Sequence, residues 1–276
     1  MTSACALGVE ANATALEISP KFRCGDYREV LDDIPPVDLF LTSPPYNLRT
    51  KKSLKRIDGR RRLGSFDPKS FGGVKSYEDN LTESAYQAQQ AAFLIWCESR
   101  LAVGGVVAYN VKNRKRQKTL ITPYQWLLRP DVTQKLIVVE EIVWDRGSTH
   151  NHDSSQLWAQ TERIYILRRP QDPWRFKHQK CRRLPFTSDV WRIPLESSRA
   201  GRVRHDAAFP QTLVAAVLEA YSQPGQVVCD PYAGSGTTLS VALKMERHAW
   251  GAEINPEHHA RAMERISQSL ASCRKI

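Results

Sequence analysis

Two short stretches of this 276-residue chain carry residue types at spacings that chemistry could use. The first is Thr42-Ser43-Pro44-Pro45-Tyr46-Asn47. Two successive prolines fix their own φ and offer no backbone N–H, so they stiffen the loop that contains them. A stiff loop holds the Ser43 hydroxyl and its own carbonyl groups as hydrogen-bond acceptors in set positions. Such a pair suits an amino group on a heteroaromatic ring, whose lone pair is delocalised and reacts poorly. Accepting both N–H hydrogens favours a pyramidal nitrogen with its lone pair aimed outward, which is catalysis by orientation and electrostatics. Tyr46 adds a ring face on which an extruded base could stack. By itself, Pro-Pro-Tyr is equally a rigid turn.

The second stretch is Asp230-Pro231-Tyr232-Ala233-Gly234-Ser235-Gly236-Thr237-Thr238. Glycines at 234 and 236 let backbone approach a ligand closely, and a helix opening at Thr237 turns unpaired N–H groups toward it. A nucleotide-like cofactor is the natural occupant. A dinucleotide fingerprint wants a third glycine where Leu239 stands, and a phosphate-binding loop wants a lysine where Thr237 stands. Glu253 falls at the end of the next strand, where a carboxylate can accept both hydroxyls of a ribose.

The elements that must position these stretches alternate between strand and helix. Phe22–Cys24 reads as a short strand ending at Gly25-Asp26, and Val37–Thr42 as an apolar strand that the prolines cut off, which leaves Ser43–Tyr46 on a loop at its C-terminal end. Glu83–Leu101 has helical spacing, with Gly104-Gly105 as its stop and Val106–Val111 as the next strand. Leu136–Trp144 and Arg163–Leu167 are β-like. Then come a helix from Pro210 to about Ser222, a strand Gln226–Asp230, a helix from Thr237 to about Arg247, a strand Trp250–Ile254 and a last helix from Pro256. This alternation predicts an α/β fold with a mostly parallel sheet covered on both faces. Residues 1–20 read as a leader, and 21–276 as a single domain.

The net charge of +11 is segregated. Leu48–Lys75 carries +8, Lys112–Lys118 carries +5 and Arg168–Arg204 carries +8, leaving −10 on the remainder. That is the footprint of a phosphate-contacting surface. The third segment interleaves Trp174, Phe176, Phe186 and Trp191 with its basic residues, a mixture that suits phosphate contacts plus stacking; half of those aromatics are expected to be core instead. The six cysteines form no C-x-x-C pair or zinc spacing, so no metal is expected. No apolar run approaches the roughly 18 residues that span a bilayer, and no Lys or Arg occurs in the first twenty residues to begin a targeting segment. The expectation is a soluble, cytoplasmic, nucleoid-associated protein with no membrane partner.

T-S-P-P-Y-N together with D-P-Y-A-G-S-G-T-T resembles the amino-group DNA methyltransferases, and the order of the two motifs, catalytic loop first, is similar to the β-ordered group of that family. The resemblance runs from Arg23 to Arg265. It implies a Rossmann-like methyltransferase fold with a seven-stranded, mostly parallel sheet, one reversed strand near Arg163–Leu167 or Leu136–Trp144, and a circularly permuted motif order. It implies S-adenosyl-L-methionine as cofactor, held by Asp26, Phe209, Asp230, Tyr232, Gly234, Gly236, Thr237 and Glu253, with Ser43, Pro44, Pro45 and Tyr46 as the catalytic loop. Within that set, Gly25-Asp26 matches the family's acid that reaches the adenine, and His205-Asp206-Ala207-Ala208-Phe209-Pro210 the stretch that closes over the methionine part. Tyr232 departs from the family's usual Phe. The resemblance makes 168–204 the target-recognition insertion, aided by the basic loop 48–75, and double-stranded DNA the partner. A homodimer, and a cognate restriction endonuclease outside any stable complex, are left open. Ser at the head of the catalytic loop goes with cytosine N4 in that family and Asp or Asn with adenine N6, so N4-methylcytosine is the expected product and N6-methyladenine the alternative. Methylation at cytosine C5 would need a Cys after a Pro, and none of the six cysteines follows one. An RNA methyltransferase or a non-catalytic nucleic-acid-binding subunit are the competing classes.

Overall fold

The structure is a computed structural model and describes residues 20–47, 80–116, 118–147, 157–174, 188–195 and 208–273. The leader up to residue 19, the basic loop 48–75, His205–Ala207 and most of 168–204 lie outside the described residues. In chain order the elements are β1 (Lys21–Cys24), α1 (Tyr27–Val30), β2 (Val37–Thr42), α2 (Glu83–Glu98), β3 (Leu101–Val111), β4 (Arg114–Arg116), β5 (Thr119–Ile121), α3 (Tyr124–Leu127), α4 (Pro130–Thr133), β6 (Ile137–Asp145), β7 (Thr161–Arg168), β8 (Val190–Arg192), α5 (Gln211–Tyr221), β9 (Val227–Asp230), α6 (Thr237–Lys244), β10 (His248–Glu253) and α7 (Pro256–Cys273).

Near-continuous apolar runs are the pattern of strands buried on both faces, and β2, β3 and β9 occupy the middle of the sheet accordingly. The sheet order is β1-β10-β9-β2-β3-β7-β6-β8. Every pairing is parallel except those of β7, which runs antiparallel to both β3 and β6. The reversed strand is therefore the Arg163–Leu167 segment. The sheet has eight strands where seven were expected. The extra one, β8, is three residues long and falls within 168–204; it pairs with β6 and forms the edge of the sheet, and Trp191 is buried there. Three residues carry no readable period, so only the tertiary pairing reveals this strand. Trp174 from the same segment is partly exposed.

Alternate residues of the strands feed two cores. Leu39, Leu41, Val106 and Ala108 pack with Val214 and Leu218 of α5, Val241 of α6 and Ile266 of α7. Phe40, Val107 and Tyr109 pack with Phe93 and Leu94 of α2 and Trp126 of α3 on the other side. The predicted helix Glu83–Leu101 ends earlier, at Glu98, and Gly104-Gly105 lie inside β3 instead of stopping a helix. Leu101 pairs with Val37, and a side chain at Gly105 would stand 2.7 Å from the Val37 carbonyl, so the glycine serves a close strand crossing. A separate hairpin, β4–β5, had no counterpart in the sequence reading. Among the described residues no helix is long and apolar enough to cross a membrane.

Candidate active site

Because β9 and β2 are parallel neighbours, with Phe40 opposite Cys229, their C-terminal ends leave the same edge of the sheet. The two chemically suggestive loops emerge there together. They face one cleft, lined by Ser43, Ala208, Phe209, Asp230, Tyr232, Ala233, Gly234, Ser235, Thr237, Thr238 and His258, with about 570 Å³ of unfilled space, its open mouth included.

The catalytic-loop stretch is fixed from several sides. Asn47 closes it at a positive φ of 53° and is buried; its Nδ2 donates to the Leu81 carbonyl at 3.1 Å while its Oδ1 accepts from Leu81 N at 2.9 Å. The Arg116 guanidinium donates to the Asn47 carbonyl. The Tyr86 hydroxyl donates to the Pro45 carbonyl at 3.0 Å, whereas no described residue donates to the Pro44 carbonyl. Lys112 Nζ sits 5.1 Å from the centroid of the Tyr46 ring.

Behind this loop lies a buried polar network that the sequence reading missed. Ser43 Oγ is 2.7 Å from Tyr46 Oη, which donates to Glu162 Oε2 at 2.9 Å. Asn110 Nδ2 lies 2.7 Å from both Tyr46 Oη and Glu162 Oε2, and 3.3 Å from Ser43 Oγ. Arg146 Nη1 pairs with Glu162 Oε1 at 3.0 Å. Burial, followed by the charge of Glu162, pushes the Tyr46 phenol well above its ordinary range, so it keeps its proton. A signal was available for this network. Glu162 shares a strand face with the core residues Ile164 and Ile166, and Asn110 follows Ala108 on its face; a polar residue at an apolar-face position of a buried strand is unusual and calls for a partner.

On the cofactor side, Asp230 is buried at the end of β9, accepting from Tyr232 N at 3.1 Å and from the Thr238 hydroxyl at 2.8 Å. Burial raises its carboxyl to about 6 against these hydrogen bonds, and no cationic side chain among the described residues pairs with it. Gly234 and Gly236 are both left-handed, with φ of 51° and 72°. They do different work. A side chain on Gly234 would meet nothing nearer than 3.9 Å, on a cleft-lining residue. One on Gly236 would stand 2.9 Å from Ile266 Cδ1 and 3.2 Å from Ala262 Cβ, so that glycine admits α7 rather than a ligand.

Of the remaining expected residues, Phe209, Tyr232 and Thr237 line the cleft. Gly236, Asp26 and Glu253 do not line it, and of the expected catalytic loop only Ser43 does, not Pro44, Pro45 or Tyr46. Glu253 is buried, with Oε2 accepting from Gly234 N at 3.0 Å and Oε1 from Asn255 N at 2.8 Å, so both oxygens support the glycine loop and the start of α7. Asp26 caps α1 and takes a bidentate pair from Arg28, at 2.9 Å from Nε and 2.6 Å from Nη2; these hydrogen bonds hold its carboxyl below the usual range. Asp26 lies just past the end of β1, where Gly25 N donates to the Glu253 carbonyl at 2.9 Å, which places both acids at the ends of neighbouring strands. Pro44 is buried beneath the loop and Pro45 is half-buried. His258, in the first turn of α7, lines the cleft without having been anticipated.

The DNA methylase family model for N6 and N4 methyltransferases matches residues 37–264. The chain belongs to that family. This methylase is 26% identical, over 90% of its own length and 81% of the relative's, to the Type II methyltransferase M.ScaI of Streptomyces caespitosus. It is 33% identical to the DNA adenine methyltransferase YhdJ of Escherichia coli K12, over 44% of its own length and 40% of that protein's. Among solved structures it superposes with a TM-score of 0.61 and 25% identity on TTHA0409 of Thermus thermophilus, assigned as a DNA modification methylase and solved with S-adenosyl-L-methionine; 91% of this chain and 94% of that one are covered. The cytosine-N4-specific PvuII DNA methyltransferase shares the fold at a TM-score of 0.67 and 18% identity, over 91% and 90% of the two chains.

Proposed function

We propose that the methylase transfers a methyl group from S-adenosyl-L-methionine to the exocyclic amino nitrogen of a base flipped out of double-stranded DNA, with cytosine N4 as the target. The observation that carries this reading is that Ser43 and Gly234, one from each loop, line the same cleft. The cleft suits the cofactor on its own chemistry: a buried acid, Asp230, has no cationic partner among the described residues, two aromatic residues, Phe209 and Tyr232, line the same cleft, and the position at Gly234 leaves room for a ligand where a side chain would project. When bound, S-adenosyl-L-methionine supplies an electrophilic methyl on a sulfonium centre. Asp230, Phe209 and Tyr232 would hold the end of the cofactor that carries this charge, and Asp26 and Glu253 would serve the adenosine part.

On the other side, Ser43 Oγ and the Pro44 carbonyl accept the two hydrogens of the target amine, while the Pro45 carbonyl accepts from Tyr86. That leaves the nitrogen lone pair aimed toward Gly234. Tyr46 supplies the stacking face for the base. DNA is held by the basic loop 48–75, the insertion 168–204 and the exposed Lys115 and Lys118 of the β4–β5 hairpin. Arg114 of that hairpin is turned inward onto Glu83 at 2.7 Å and takes no part.

Cytosine rests on Ser43 at the head of the loop, since the family resemblance associates Ser there with cytosine N4 and Asp or Asn with adenine N6. Adenine N6 is the second reading, favoured by the 33% identity to an adenine methyltransferase. Mass spectrometry of nucleosides from duplex DNA incubated with the protein and cofactor tests both. N4-methylcytosine is expected; N6-methyladenine without N4-methylcytosine overturns the choice of base, and transfer to structured RNA but not duplex DNA overturns the substrate. Ser43→Ala should slow transfer with little change in cofactor affinity.

A further inference from the structure

We propose that Glu162 is a positioning residue that keeps Ser43 a hydrogen-bond acceptor toward the target amine, acting through Tyr46. The inference rests on the reading of Ser43 given above and concerns a residue outside the catalytic loop, 116 positions from Tyr46 in the chain.

Proton accounting carries it. A hydroxyl has one proton and can present either that proton or a lone pair to a substrate, and only a lone pair helps against an amine hydrogen. Glu162 holds an ion pair with Arg146 through Oε1 and receives Asn110 Nδ2 on Oε2, so its remaining capacity is acceptance alone. Tyr46 therefore spends its single proton on Glu162 Oε2, at 2.9 Å. The 2.7 Å contact between Tyr46 Oη and Ser43 Oγ then has only one proton available to it, the one on Ser43. Ser43 is turned inward as a donor; Asn110 Nδ2, at 3.3 Å, takes one of its two lone pairs, and the other is left to the cleft that it lines. Asn110 reinforces the direction. Its amino group faces three oxygens while its Oδ1 is buried with no partner among the described residues, the orientation a carboxylate at Glu162 imposes. Arg146 keeps the carboxylate aimed; it also donates to the Ala159 and Gln160 carbonyls, which tie it to the stretch leading into β7.

Glu162→Gln reverses the relay within nearly the same shape. Arg146 retains the amide oxygen, the Asn110 amide turns over so that its Oδ1 accepts from the new amide nitrogen, that nitrogen also donates to Tyr46 Oη, Tyr46 gives its proton to Ser43, and the Ser43 proton points into the cleft against the amine hydrogens. The expected result is a loss in single-turnover methyl transfer on the order of ten- to a hundredfold, with cofactor affinity unchanged within about twofold and KM for DNA little altered. In a Ser43→Ala background the same substitution should add no further loss, because the hydroxyl that it misdirects is gone. Tyr46→Phe, which keeps the ring but removes the middle hydroxyl, should show the same loss with Ser43 present and none beyond Ser43→Ala. It carries the cycle alone should Glu162→Gln fail to fold. An undiminished effect of either variant in the Ser43→Ala background overturns the relay while leaving the reading of Ser43 intact. Full activity of Ser43→Ala itself overturns that reading, and the relay with it.

Discussion

Replacing each glycine of the 234–236 loop by alanine should separate two requirements that the sequence presents as one. At Gly236 the added Cβ meets Ile266 Cδ1 at 2.9 Å and Ala262 Cβ at 3.2 Å, and the backbone is left-handed at φ 72°. The left-handed conformation costs an L-residue about 1–2 kcal/mol. The Ile266 methyl is the end of a flexible side chain but is fully buried, and Ala262 can yield only if α7 moves, so overpacking adds roughly 1–2 kcal/mol, near the lower end of its usual range. Together these give about 2–4 kcal/mol, which for a chain of this size lowers Tm by roughly 5–15 °C. At Gly234 only the strain applies, and Tm should fall by no more than about 2–8 °C. Ligand affinity should run the other way. The Gly234 Cβ projects where a ligand approaches and should weaken S-adenosyl-L-methionine binding by about tenfold or more, equivalent to about 1.4 kcal/mol, while Gly236→Ala leaves it within a few fold below its melting range. Differential scanning calorimetry and isothermal titration calorimetry read both quantities. Ile266→Val, which lacks the Cδ1 atom, should return part of the loss in the Gly236→Ala background beyond what the single variants add up to. A Gly236→Ala protein melting at the wild-type temperature would refute the assignment of that glycine to helix packing.

Three other perturbations test the site. Burial holds the Asp230 carboxyl near 6, above its ordinary 3.8, so between those values the native state binds a proton that the unfolded chain has released. Stability should therefore fall as pH rises from about 4 to about 6, by on the order of 3 kcal/mol, and Asp230→Asn should flatten that segment of a urea-denaturation series. The same titration links to the cofactor's positive charge, so affinity should increase through pH 6 in the wild type and not in Asp230→Asn; equal profiles would sink the pairing. Asn47→Ala removes both bonds to Leu81 and leaves alanine at φ 53°, which should cost about 2–4 kcal/mol in denaturant melts and slow methyl transfer, since the loop carrying Ser43 loses its anchor. Arg28→Ala should tighten cofactor binding up to about fivefold, because the exposed guanidinium now competes for Asp26 in a pair worth no more than about 1 kcal/mol; weaker binding would show that Arg28 contacts the ligand instead.

Much of the fold was legible because its strands are short, apolar and punctuated. The double proline ends β2 for want of N–H groups, the Asp-Pro after β9 does the same, and the pairing of those two strands brings the loops to one edge. The start of β3 was misread because an apolar pattern does not say whether Leu101 faces a helix groove or a neighbouring strand, and glycine reads as a stop in either case. The short edge strand β8 is too brief to signal itself at all.

For the site, the sequence by itself determined the residue types of both loops, their order along the chain and hence the family, since motif spacing is a local property that survives without coordinates. Tertiary structure alone decided what each of those residues can do. Glu253 and Gly234 hold each other, Gly236 answers to α7, Asp26 is engaged by Arg28, and Ser43 is backed by Tyr46, Asn110, Glu162 and Arg146, brought together from separate parts of the sheet. The direction of a hydroxyl proton depends on every partner within about 3 Å, and those partners come from positions as far as 116 residues apart in the chain, where no local pattern connects them.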